Sequence, residues 1–182
     1  QALLRRYLLS FDKPSIGSIG RYLLDAWTVW PGMGHARING RAIHGRRGDS
    51  DVVITGPGGR DPTAVELALV TAAVRHEDVL PEALGVAVLA ATRREYATDQ
   101  VIEVPAIGPD AEVVRQEAIA RIRAAGDART VIGGEVPAGL MAGAAYGQNV
   151  IRVRDLSPVV IEADPYTVPV LTGINVAVEV RP

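Results

Sequence analysis

The sequence predicts an α+β protein of two small domains, residues 1–94 and 95–182, each an αα pair packed on a short mixed or antiparallel sheet. Three observations lead there. Helical and alternating apolar patterns come in runs, without the regular βαβ alternation of a doubly wound nucleotide-binding sheet. The order αα-ββ-α-β is followed by β-αα-ββ, so an αα pair feeding a strand pair occurs twice, as layout and without repeated sequence. A chain of 182 residues can hold two such cores; it is 48% apolar, mostly Ala, Val, Leu and Ile, with one Phe, which makes the cores aliphatic.

In the first half, Leu3, Leu4, Tyr7 and Leu8 fall at helical spacing and predict a helix over Gln1–Ser10, followed by the loop Phe11-Asp12-Lys13-Pro14. Ser18 is the expected N-cap of a second helix that reaches Trp27 or Trp30. Leu23, Trp27 and Trp30 share its face, and the two tryptophans read as packing anchors, with interface anchors as the alternative; burying either contributes on the order of several kcal/mol. Pro31-Gly32-Met33-Gly34 stops this helix. His35–Ile43 alternates, Gly45-Arg46-Arg47-Gly48-Asp49-Ser50 reads as a turn, and Val52-Val53-Ile54 completes a β-hairpin. Asp61 as N-cap, with Pro62 at the first helical position, predicts a helix to Arg75 along the stripe Leu67, Val70 and Val74. Leu69, Ala72 and Ala73 make its other side apolar too, so the helix calls for cover on two sides, another chain being one candidate for the second. Val86–Ala91 reads as a buried strand.

The domain boundary is expected between Arg93 and Thr98. Val101–Ile107 alternates, and Pro109-Asp110 opens a long helix with the stripe Ala111, Val114, Ala118, Ile122 and Ala125. Pro137 starts another helix, which runs to Tyr146 and is closed by Gly147. A strand carrying Arg152 and Arg154, the loop Asp164-Pro165-Tyr166-Thr167-Val168-Pro169 and a closing strand finish the chain. In that last strand Ile174, Val176, Val178 and Val180 take one side, and Asn175, Ala177, Glu179 and Arg181 the other.

Composition narrows the function. A net charge of -2 and a pI near 5.9 argue against a protein whose main work is neutralising nucleic-acid phosphates. Positive charge is almost all arginine, with Lys13 the single lysine; base composition of the genome explains that most simply, and arginine also suits planar contacts with other proteins. The absence of cysteine excludes disulfides, thiolate nucleophiles and cysteine metal sites. No uninterrupted apolar run is long enough for a membrane span. The chain opens on Gln1, which leads us to expect a further segment upstream.

Motifs for chemistry are weak. His35, His44 and His76 have no metal-ligand spacing, although His35 and His44 could flank one strand. Gly17-Ser18-Ile19-Gly20, Gly56-Pro57-Gly58-Gly59 and Gly133-Gly134 lack the spacing of a phosphate loop and read as turns. Ser50, Ser157 and Thr172 sit in no nucleophile elbow, and Glu66, Glu77, Asp78 and Glu82 read as solvated helix and loop charges. Arg47-Gly48-Asp49 matches an adhesion tripeptide and equally the chemistry of a hairpin tip. The sequence therefore points to no catalytic residue, no cofactor and no metal. The candidates belong to an interface: Arg37 with Arg41 on one strand face, Leu69 and Ala73, Arg152 with Arg154, and Tyr166. An ordinary solvated sheet face accounts for the arginine pairs equally well.

Several stretches together resemble the baseplate J-like proteins, the wedge subunits of contractile phage tails. They are Arg5-Arg6-Tyr7-Leu8-Leu9, the break Ser15-Ile16-Gly17-Ser18-Ile19-Gly20-Arg21-Tyr22, Asp61-Pro62-Thr63 with its helix, Arg152-Val153-Arg154-Asp155-Leu156-Ser157-Pro158, Pro165-Tyr166 and Thr172-Gly173-Ile174. The likeness spans essentially the whole chain and rests on element order and loose motifs. Gly20-Arg21-Tyr22 departs from it, since a small or acidic residue is expected before the tyrosine, and the family carries a further N-terminal region. The resemblance implies a non-enzymatic structural protein of the virion tail baseplate, assembled in the host cytoplasm. Its partners would be other wedge and hub proteins and neighbouring copies of itself, with no nucleic acid, membrane span or small-molecule substrate. Two readings of other classes stand beside it: a small-molecule-binding or enzymatic α+β protein with its ligand between the halves, and a subunit of some other oligomeric shell.

Overall fold

The computed structural model describes residues 4, 7, 8, 17–77, 79–81 and 84–182. Apart from Leu4, Tyr7 and Leu8, the helix expected over Gln1–Ser10 lies outside the described residues, as do the following loop, Asp78 and Glu82. The protein is α+β and divides into two compact units, Gln1–Arg93 with Pro165–Val168, and Arg94–Asp164 with Pro169–Pro182. The short segment Pro165–Val168 thus belongs with the first unit although it lies far along the chain.

In the first unit, α1 spans Ile19–Val29 and starts as expected, with the Ser18 side chain accepting from the Arg21 backbone N–H. Its inner face buries Tyr22, Ala26 and Trp27, and Trp30 and Met33 extend the same core. The strand expected to reach Ile43 stops at Asn39. β1 is His35–Asn39, and Arg41–His44 instead coils into a single helical turn, α2. The Gly40 carbonyl accepts from the Ile43 and His44 backbone N–H groups, and Gly45, at φ 78, closes the turn by donating to the Arg41 carbonyl. Arg41 therefore does not share a strand face with Arg37.

β2, Asp49–Thr55, pairs antiparallel with β1, from His35 opposite Thr55 to Asn39 opposite Asp51. After a 3-10 turn at Pro57–Gly59, α3 runs over Ala64–Val74. Its cap is Thr63 and not Asp61. Thr63 Oγ1 accepts from the Glu66 N–H at 3.2 Å while the Glu66 carboxylate accepts from the Thr63 N–H at 2.7 Å, a reciprocal capping box that Asp61 has no means to match. β3, Gly85–Ala90, then pairs parallel with β2, so β2-α3-β3 is a βαβ crossover not foreseen in the sequence. Standing at the sheet edge, β3 buries Val86 but exposes Leu89 and Ala90, and so is less enclosed than its composition implied.

In the second unit the central strand is β4, which spans Thr92–Pro105 and so begins in the last residues of the first unit. It pairs antiparallel with β5, Arg152–Asp155, and is flanked on its other side by β6, Thr167–Arg181. The bonds from Thr172 Oγ1 to the Tyr96 carbonyl and from the Ala106 N–H to the Arg181 carbonyl advance together along both strands, which makes β4 and β6 parallel. The strand ends at Pro105, leaving Ile107 94% exposed instead of within the sheet. α4, Ala111–Asp127, is capped by Asp110 and buries Val114, Ala118 and Ile122. α5, Leu140–Ala145, starts later than Pro137 because Gly139, at φ 75, is outside the right-handed helical region. Met141 and Ala145 join Ile102, Val104 and Val176 in the core. The alternation of β6 holds at Ile174, Val176 and Val178 and fails at Val180, which is exposed near the chain end.

Candidate functional site

A cluster of polar side chains in the first unit gathers two of the sequence candidates. Asp51 is nearly buried on the central strand, where an ionised carboxylate must be paired to be tolerated. Arg46 Nη2 donates to both of its oxygens, at 2.6 and 2.7 Å, and the Tyr166 hydroxyl donates to Oδ2 at 2.7 Å. Burial first, and then the bond and charge of Asp51, raise the Tyr166 pKa above the ordinary phenol value. Asn39, opposite Asp51 in the β1–β2 register and fully buried, accepts from Arg37 Nε at 3.2 Å and donates to the Pro165 carbonyl at 2.8 Å. The Thr92 backbone N–H donates to the Tyr166 carbonyl at 2.8 Å. Arg37 and Tyr166 thus meet through Asn39 and Asp51, and their role is to fasten Pro165–Val168 to the first unit.

The connection between β1 and β2 projects beyond this cluster. His44 spans it, with Nε2 3.1 Å from the Asn39 carbonyl and Nδ1 accepting from the Arg46 N–H at 3.2 Å, so the neutral ring protonated on Nε2 satisfies both contacts. Arg41 and Arg47 are exposed, and among the described residues their side chains have no ion-pair or hydrogen-bond partner. His35 lies at the opposite end of β1 from His44, and among the described residues no group of three His, Cys, Asp or Glu side chains is placed to hold a metal. Beside the connection, an open groove of about 380 Å³ is lined by Arg46, Asp49, Ser50, Arg75, Val86 and Leu89.

The outer side of α3 is apolar and exposed, with no cover among the described residues. Val65 is 69% and Leu69 48% exposed, Ala72 is exposed and Ala73 half-buried, whereas Val70 and Val74 on the inner side are fully buried. Where α3 begins, Arg60 clamps Glu66 through two bonds of 2.8 and 2.5 Å and lies over the Trp30 ring, 5.6 Å from its centroid. The Arg60 guanidinium, followed by the Thr63 N–H, holds the Glu66 carboxyl down at about 2. Glu66 is a capping residue, not a solvated charge.

The second unit separates the remaining pair. Arg152 is exposed on β5, but Arg154 is engaged inside the chain, bonded to Glu179 and 3.8 Å from Glu103 Oε1. Glu103 is 2% exposed, and Arg181 Nε lies 2.8 Å from its Oε2; neither Nε contact with Glu103 is aligned as a hydrogen bond, so both act as charge contacts. Asp51 and Glu103, both buried acids, are not among the residues that the sequence motifs single out. The signal for Glu103 was a lone acid inside the apolar run Val101-Ile102-Glu103-Val104, and for Asp51 an acid directly before Val52-Val53-Ile54.

The chain matches no protein-family model, and no curated protein matches it. Among the described residues, no helix is long and apolar enough to cross a membrane.

Proposed function

We propose that the chain is a structural wedge component of the baseplate of a contractile phage tail or a related contractile injection system. In this reading it joins neighbouring wedges around the tail hub, helps transmit the contraction trigger, and catalyses no reaction. It is built into the virion, having been assembled in the host cytoplasm from copies of itself and other wedge and hub proteins.

The observation that carries the assembly part of this reading is α3. A helix apolar on all sides belongs inside a protein. Here one side is buried by α1 and the sheet, and the other presents Val65, Leu69 and Ala72 to solvent, an arrangement that a neighbouring subunit would complete. Stable contacts of this kind need roughly 1,200 Å² or more of buried surface, which calls for faces and not a pocket. The family-level part rests on the sequence resemblance alone. Electron microscopy of tail particles carrying a labelled copy of the chain tests both. Label in a ring at the baseplate is the expected result; label remote from any tail organelle, or a monomer that turns over a substrate, would end the proposal.

A further inference from the structure

We infer that the arginine-bearing connection between β1 and β2 is a preformed docking tip for an acidic, partly apolar protein surface. Two antiparallel strands can be joined by two residues. This chain uses Gly40 to Gly48 instead, with a helical turn in the middle. The extra length is held in one shape: the His44 ring ties Asn39 to Arg46, Gly45 closes the turn, and Arg46 is anchored on nearly buried Asp51 and reaches Asp49 at 3.3 Å. Arg46 is therefore spent on the frame. What the frame displays is Arg41, Arg47 and, between them in sequence, Ile43, which is 45% exposed.

Two guanidinium groups with no partner among the described residues, on the same short connection as an exposed aliphatic side chain, match the make-up of a protein interface, where arginine is enriched around an apolar centre. Holding them on a fixed frame reduces the ordering cost of binding. The charge sets the partner's sign. The chain as a whole is at -2, so this local excess of arginine stands against an acidic background and selects carboxylates at short range. A phosphate polymer would leave Ile43 without a use, since its contacts are electrostatic. The inference deepens the assembly reading and rests on it only in that the partner is a protein.

The test uses the full chain, a fluorescein-labelled peptide of alternating Glu and Leu, a DNA oligonucleotide, and vesicles containing anionic lipid. Anisotropy is compared between the wild-type chain and Arg41→Glu/Arg47→Glu, whose fold is checked by circular dichroism. Saturable peptide binding is expected, at least about tenfold weaker in the double variant and weakened as salt rises from about 0.05 to 0.5 M. Ile43→Ser, which keeps both charges, should also weaken it. Equal binding by wild type and double variant, no binding by either, or tighter binding to DNA or vesicles than to peptide would overturn the inference. None of these outcomes depends on where the chain sits in a particle, so the docking tip can fail while the baseplate reading stands.

Discussion

The contact between Tyr166 and Asp51 is open to a double-mutant cycle of Tyr166→Phe, Asp51→Ala and both together. The hydroxyl meets an ionised carboxylate at 2.7 Å, and bonds of that kind contribute about 1.5–3 kcal/mol. Because Tyr166 is only half-buried, the lower end applies, and Tyr166→Phe should cost about 1.5 kcal/mol. Asp51→Ala should cost more, about 3 kcal/mol, since it also strips Arg46 of its main partner and leaves a gap in the central strand. The double variant should fall short of the sum by about 1.5 kcal/mol, the energy of the shared bond. Urea unfolding followed by tryptophan emission is the assay of choice. Both tryptophans of the chain, Trp27 and Trp30, are buried in the first unit and so report on it. A coupling within about 0.3–0.5 kcal/mol of zero would refute the view that Tyr166 fastens its segment through Asp51. The pH dependence adds a second reading. A phenol whose folded pKa is raised contributes stability that is complete below the unfolded value of 10.0 and is lost as pH rises through the folded value, so the alkaline loss should flatten in Tyr166→Phe.

Charge reversal at Arg152 should weaken assembly and leave the fold intact, whereas Arg154→Glu should lower the stability of the second unit, measured by chemical denaturation. The loss should stay below the roughly 3–5 kcal/mol of a fully stripped buried charge, because Arg181 still faces Glu103. Gly134→Ala places a Cβ 2.3 Å from the Arg129 carbonyl oxygen, so a backbone shift and a clear drop in Tm are expected; an unchanged Tm would contradict the close approach. Glu66, held at about 2 when folded against 4.5 when unfolded, contributes stability present above 4.5 and lost as pH falls towards 2. Glu66→Gln should remove that acid-side dependence from the tryptophan-monitored transition. Leu69→Asp should leave the monomer's thermal unfolding nearly unchanged and reduce incorporation into particles, scored by gel densitometry, since Leu69 is 48% exposed in the lone chain.

Long periodic elements were legible. The stripe of Val114, Ala118 and Ile122 and the Ser18 cap appear as read, because a helix of several turns imposes its period on the sequence and a cap needs only its neighbours. What escaped depended on side-chain bonds, such as those of Arg60 with Glu66 and His44 with Asn39, that leave no mark on the apolar periodicity. The cap expected at Asp61 is Thr63 instead, through its capping box with Glu66, which the Arg60 clamp holds in place. The alternation of His35–Ile43 is compatible with a strand throughout, yet a side-chain bond from His44 to the Asn39 carbonyl ends it early. Among the interface candidates, Arg37, Arg154 and Tyr166 are occupied within the chain, and Arg41, Leu69 and Arg152 stay available. Sequence marks an arginine as a candidate; only the fold tells which acid has already taken it.

The return of Pro165–Val168 to the first unit bears on how the chain is made. Translation delivers Asp51 long before Tyr166, which follows it by 115 residues, and Asn39 likewise waits for the Pro165 carbonyl. Until that late stretch emerges from the ribosome, the nascent amino-terminal half carries these two sites without their closing partners. Neither half corresponds to one uninterrupted stretch of gene, so shuffling by simple recombination at residue 94 would hand on an incomplete piece.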